Sequence, residues 1–208
     1  MLIWINGPFG VGKTQTAYEL ARRTGSIVCD PEEVGFGLHR MTPPAMRGDF
    51  QDLPAWRQGV VDVLHEVLQR TDRPVVAPMT VVNPQYFDET VGRLRELGHP
   101  VHHVALLARR ETVERRLRER VIGHTLAALL GERALRRESF ALGALDRCLA
   151  ELAHPRFAYH VQTDDRPIGE VVDVIARQAG LAISPDDTAR PLAAARRALV
   201  AVRHIRLG

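Results

Sequence analysis

The sequence predicts an α/β fold, a five-stranded parallel sheet sandwiched by helices. Three observations predict it. Short apolar runs alternate along the chain with longer stretches of helical periodicity. The apolar runs are continuous rather than alternating, as in strands buried on both faces. The first run leads at once into Gly7-Pro-Phe-Gly10-Val11-Gly12-Lys13-Thr14, a G-x-x-x-x-G-K-T phosphate loop, and then into a helix. The 208 residues, 45% hydrophobic and 25% charged, suit one well-cored domain with an appendage.

Taken in order, Met1 to Asn6 reads as a buried strand and Lys13 to Thr24 as the first helix. Ser26 to Cys29 is a short second strand. Pro31 with Glu32 and Glu33 opens a helix to about Arg40, since proline and acids favour a helix start. The stretch 42–53, with two prolines, a glycine and two aspartates, reads as a loop over the site. Ala55 to Arg70 carries Val60, Val63, Leu64, Val67 and Leu68 on one helical face. Pro74 to Met79 is the third strand. Pro84 to Leu97 is a helix closed by Gly98, and Val101 to Ala108 the fourth strand. Glu111 to Arg120 starts an arginine-rich, mostly helical stretch reaching 147. Ala158 to Gln162 is the fifth strand, and Ile168 to Ala179 a helix ended by Gly180. The expected organisation is a P-loop domain over 1–180, with a helical lid at about 115–150, and a basic helical tail over 181–208.

The loop names a chemistry. Its glycines let backbone N–H groups turn inward around a polyphosphate, and the next helix points its positive end at the same anion. Gly7, Gly10, Val11, Gly12, Lys13, Thr14 and Gln15 are therefore the expected nucleotide-binding set. Lys13 supplies charge for the β- and γ-phosphates, and the Thr14 hydroxyl is placed to ligate Mg²⁺. Lys13 is the only lysine of the chain.

A phosphate loop alone does not separate a kinase from an ATPase or GTPase switch. Three features favour a small-molecule kinase. The chain is near the minimal size for one sheet and a lid. Asp30 directly follows the second strand, and ligands of parallel sheets bind at the strands' C-terminal ends. There Asp30 would take a proton from an acceptor hydroxyl, hold Mg²⁺ through water, or simply cap the helix at Pro31. Arginines crowd the segment after the fourth strand. Among them Arg116, Arg120 and Arg147 are the candidates for phosphate contact, because guanidinium forks stabilise the charge of phosphoryl transfer. The third strand, by contrast, ends Pro78-Met79-Thr80 without the carboxylate that ATPase motors use. Phe36, Asp49, Phe50, Asp52, Trp56, Arg57, Thr80 and Asn83 are the candidate acceptor-binding residues, with Trp56 equally readable as core. His102 and His103 read as core histidines with satisfied hydrogen bonds.

The net charge of +3 does not argue for nucleic acid. Cys29 and Cys148 match no metal spacing and read as reduced thiols in a cytoplasmic protein. No apolar run approaches the ~20 residues that span a bilayer. The tail is basic and amphipathic. It either packs its alanine-rich face on the domain or touches the inner membrane surface. The oligomeric state is left open.

The chain resembles the tunicamycin-resistance ATP-binding proteins, small P-loop enzymes related to nucleotide, shikimate and antibiotic kinases. The likeness rests on residues 4–17, on Asp30-Pro-Glu32 with Gly35-Phe36, and on Asp49-Phe-Gln51 with Trp56-Arg57. It continues through Pro78-Met-Thr80, Val101-His-His103, Arg116-Leu-Arg118, Asp146-Arg-Cys148, Gln162-Thr-Asp164 and His204-Ile-Arg206. It departs from the family pattern between Val121 and Gly143, where the lid is longer. The resemblance implies a nucleotide- and shikimate-kinase-like fold, ATP and Mg²⁺ as cofactors, and a tunicamycin-like nucleoside as the small-molecule acceptor. It implies phosphorylation of a drug hydroxyl, with Asp30 as the candidate base. Sequestration without chemistry, or housekeeping nucleoside phosphorylation, are the competing expectations.

Overall fold

The computed structural model describes residues 1–123, 145–186 and 200, with the backbone alone for 118–123. The middle of the expected lid and most of the expected tail lie outside these residues, as does the side chain of Arg120. The described strands are β1 (Leu2–Asn6), β2 (Ile27–Val28), β3 (Val75–Pro78), β4 (Val101–Leu107) and β5 (His160–Gln162). They form one five-stranded sheet in the order β2-β3-β1-β4-β5, every pair parallel.

The helices are α1 (Lys13–Thr24), α2 (Glu32–Met41), α3 (Pro54–Arg70), α4 (Pro84–Phe87), α5 (Arg93–Glu96), α6 (Arg110–Gly123), α7 (residues 145–152) and α8 (Ile168–Gln178). The single helix expected over 84–97 is interrupted. A π turn at Asp88–Gly92 joins α4 to α5, and the Thr90 hydroxyl there donates to the Tyr86 carbonyl at 2.7 Å. The expected loop at 42–53 holds two short 3₁₀ turns, Pro44–Met46 and Phe50–Asp52.

The continuous apolar strands serve two cores. Ile3 and Ile5 of β1 face α1, α6 and α8, where Leu20, Leu117, Val172 and Ile175 meet them. Leu2 and Trp4, one residue out of phase, face α3 and the α4–α5 segment, where Trp56, Leu64, Phe87 and Leu94 close the second core. Successive strand side chains point to opposite faces, so an unbroken apolar run fills both layers. Past α8 the chain stays on the domain. Arg23 donates to the carbonyls of Ser184 and Gly169 and pairs with Asp173, fixing residues 181–186 across α1 and α8.

Candidate active site

The phosphate loop joins the centre of the sheet to α1. Gly7 has φ 145° and Gly10 φ 81°, a region that side-chain-bearing residues rarely adopt. A Cβ at Gly7 would lie 2.7 Å from the Leu106 carbonyl, and one at Gly10 would lie 2.8 Å from the Leu117 side chain. The loop is thus pressed between β4 and α6. Lys13, 8% exposed, donates to the carbonyls of Gly7 at 2.9 Å and Pro8 at 3.0 Å, and its ammonium lies 5.4 Å from the Phe9 ring centre. Val11 is buried, while Thr14 and Gln15 in the first turn of α1 are partly exposed.

Under the loop is a buried polar floor. The Asn6 carbonyl oxygen accepts from the Gly7 amide at 2.8 Å and the Val81 amide at 3.0 Å. Its amide nitrogen donates to the Val81 carbonyl at 2.8 Å and faces His103 Nε2 at 3.3 Å. The Thr80 hydroxyl, also buried, donates to the Gly7 carbonyl at 2.7 Å. Burial pushes His103 down to about 3, so its ring is neutral. His103 fits the expectation of a satisfied core histidine. His102 does not: its Nε2 is buried with no hydrogen-bond partner, and its ring lies against Tyr159.

Helix α6 walls the other side. The Asp164 carboxylate, from the turn after β5, accepts from the Arg109 amide at 2.8 Å and also pairs with the Arg109 guanidinium. Arg116 donates to the Thr163 hydroxyl at 3.0 Å and carbonyl at 2.6 Å, and reaches the carbonyls of Val11 and Asp164 at 3.4 Å. These bonds staple α6 to the turn after β5 and to the phosphate loop. Arg147 is exposed on α7. Its neighbour Cys148 is buried, which pushes the thiol up against the opposing pull of Lys13 and Arg147.

On the β2 side, the Asp30 carboxylate accepts from the Glu32 amide at 3.0 Å, capping the entry to α2. Several of the expected acceptor-binding side chains also hold the scaffold. Trp56 is fully buried and donates to the Pro31 carbonyl, so its faces belong to the core. Arg57 is buried between Glu89 and the Gln51 carbonyl, with its guanidinium 4.4 Å from the Tyr86 ring centre. Asp49 caps the turn at Phe50–Asp52, Asn83 caps α4, and Asp52 accepts from the Tyr86 hydroxyl at 2.8 Å. Thr80 points under the loop, as described. Phe36 and Phe50 remain half-buried, edge to face at 6.1 Å, with Phe50 lying on Gly35.

Sequence reasoning missed Asn6, Thr163 and Asp164 as site builders. The available signal was one polar residue closing an apolar strand immediately before the phosphate loop.

Residues 2–137 match the family model described as an AAA domain. Among solved structures, the tunicamycin resistance protein of Deinococcus radiodurans is 30% identical, with a TM-score of 0.70, over 88% of this chain and 98% of that one. The chain belongs to the tunicamycin-resistance family of P-loop proteins. Shikimate kinase from Bacteroides thetaiotaomicron (21% identity, TM-score 0.52, 87% of this chain and 99% of that one) shares the fold. So does a gluconokinase from Sinorhizobium meliloti (18%, 0.56, 86% and 93%). A comparison with curated proteins gives no match. Among the described residues no helix is long and apolar enough to cross a membrane.

Proposed function

We propose that this protein is an ATP-dependent phosphotransferase that moves the γ-phosphoryl group to a hydroxyl of a tunicamycin-like nucleoside or a similar sugar compound. One observation carries the reading. A phosphate loop with buried Lys13 follows β1 and Asp30 follows β2, so both leave the same C-terminal edge of the parallel sheet, with β3 between them. The acceptor oxygen attacks the γ-phosphorus, the bond to the β,γ-bridging oxygen breaks, and ADP leaves. The acceptor proton passes to the Asp30 carboxylate. The loop amides and Lys13 hold the phosphates, and α6 shields them from one side. Thr14 and Asp30 offer hydroxyl and carboxylate oxygens, the hard donors that suit Mg²⁺. When bound, Mg²⁺ neutralises phosphate charge. Arg147 is assigned to the phosphates from α7, and Arg120 from the lid. Phe36 and Phe50 are assigned to the acceptor, and the stretch of chain between them exposes Met41 and Met46 at 84% and 74%.

The test is to incubate the protein with Mg·ATP and tunicamycin and weigh the drug by mass spectrometry. A gain of one phosphoryl group, lost in Lys13→Ala, is expected. Asp30→Asn is expected to abolish turnover while leaving metal-free ADP affinity within about twofold, since Asp30 acts on the acceptor proton and on Mg²⁺ rather than on the nucleotide itself. One observation favours sequestration instead: the turn after β3 brings Thr80, not a carboxylate, to the loop. An unchanged drug mass with measurable binding of both ligands would establish that reading.

A further inference from the structure

We infer that His103 is a positioning residue for the phosphate loop: it orients the Asn6 amide, which in turn fixes the Gly7 N–H and the turn after β3. The inference rests on the nucleotide-binding reading of the loop. A primary amide has two donor hydrogens and two acceptor lone pairs. Asn6 is fully buried, and all four are used. Its oxygen takes the Gly7 and Val81 amides, so the nitrogen is the atom that faces His103. That nitrogen only donates, so His103 Nε2 must accept. Nδ1 then carries the ring proton, and the Ala158 backbone favours a protonated ring nitrogen. Phe87 packs edge to face against the ring at 4.9 Å and holds its plane, while Phe157 lies farther off at 5.9 Å.

The geometry explains why a histidine stands inside an apolar strand. If the acceptor at position 103 were lost, the amide would keep the Val81 carbonyl but leave one buried N–H unpaired. Such a group is costly, and the Asn6 side chain would turn or shift to relieve it. The Gly7 amide begins the turn that carries every later N–H of the loop. A loosened Asn6 therefore reaches the nucleotide, although His103 touches none of it.

The experiment measures ADP binding by calorimetry for the wild type, His103→Leu, His103→Gln and Phe157→Leu. Glutamine places a carbonyl oxygen near the position of Nε2. His103→Leu should weaken ADP binding about fivefold to tenfold, the worth of a buried hydrogen bond. His103→Gln should recover most of that loss even where its melting temperature stays low. Phe157→Leu should lose stability and keep its affinity, because it packs on the ring without touching Asn6. Equal affinities for wild type and His103→Leu overturn the inference, as does a glutamine variant no better than leucine. A wild type that does not bind ADP overturns the nucleotide reading itself. Nitrogen-15 NMR of the wild-type ring decides the case if the variants do not fold. A protonated Nδ1 supports the inference, and a protonated Nε2 overturns it.

Discussion

Gly10 shows how tightly one residue is specified. Its φ is 81°, and an added Cβ would meet two Leu117 carbons at 2.8 and 3.0 Å and a Val113 carbon at 3.4 Å. Alanine there combines backbone strain with overpacking of a buried wall. Gly10→Ala should lose about 2–4 kcal/mol of stability, read by urea denaturation. It should also weaken ADP binding, because the strain is released by moving the loop away from α6. A variant with wild-type stability would show that α6 gives way freely. The residues of the phosphate loop were legible at this scale because the motif is contiguous. The residues beneath it were not. Asn6 meets Val81 across 75 positions and His103 across 97, and no local pattern announces such pairings.

At the scale of elements, punctuation did most of the work. Glycine at 25, 98 and 180, each with positive φ, closes a helix close to where the sequence reading ends it. The parallel sheet followed from continuous apolar runs flanked by helices. The π turn at Asp88–Gly92 was not legible, because its apolar residues keep a helix-like spacing through the extra residue. The start of α6 was legible to within one residue, Glu111 expected and Arg110 found, but its anchor was not, because Asp164 comes from another part of the chain. Burial alone would raise the Asp164 pKa. Hydrogen bonds from Thr112 and from the amide and guanidinium of Arg109 outweigh it and lower the value below 3.8. A lowered carboxylate stabilises the fold above its unfolded pKa and loses that contribution as the pH falls through its folded value. Asp164→Ala should therefore lower the melting temperature at pH 7 by several degrees, with the gap to wild type shrinking below pH 4. It should also weaken ADP binding, since Arg116 reaches the Val11 carbonyl from the helix that Asp164 anchors. A gap independent of pH would mean that the carboxylate contributes only through packing.

For the whole molecule, the buried histidines set an acid limit. Burial holds His103 at about 3, and lowers His102 and His99 as well, the last with help from His65. His103 stays neutral in the fold down to about 3, while in the unfolded chain it takes up a proton below 6.5. Stability is therefore full above that value and falls as the pH drops from 6.5 toward 3. His103 alone should cost about 2–3 kcal/mol at pH 4.5, an order of magnitude set by the size of its shift. Denaturation at pH 7.5 and 4.5 checks this, and His103→Gln should show a smaller acid loss than wild type. Equal losses would place the acid sensitivity elsewhere. The two-core design was legible from composition and pattern. Which polar groups the cores enclose was not, because burial of a histidine depends on what covers it, here Phe87 and Phe157.

The single lysine has a practical meaning. Besides the α-amine, Lys13 is the chain's sole amine, and it lies folded onto the Gly7 and Pro8 carbonyls at 8% exposure. An acylating reagent thus has one internal target, reached only when that ammonium swings out of the loop and sheds its proton. Its labelling rate, followed by intact mass, becomes a clock for loop opening. Bound nucleotide should slow that clock, and an unaffected rate would mean that the lysine leaves the loop as readily with nucleotide as without.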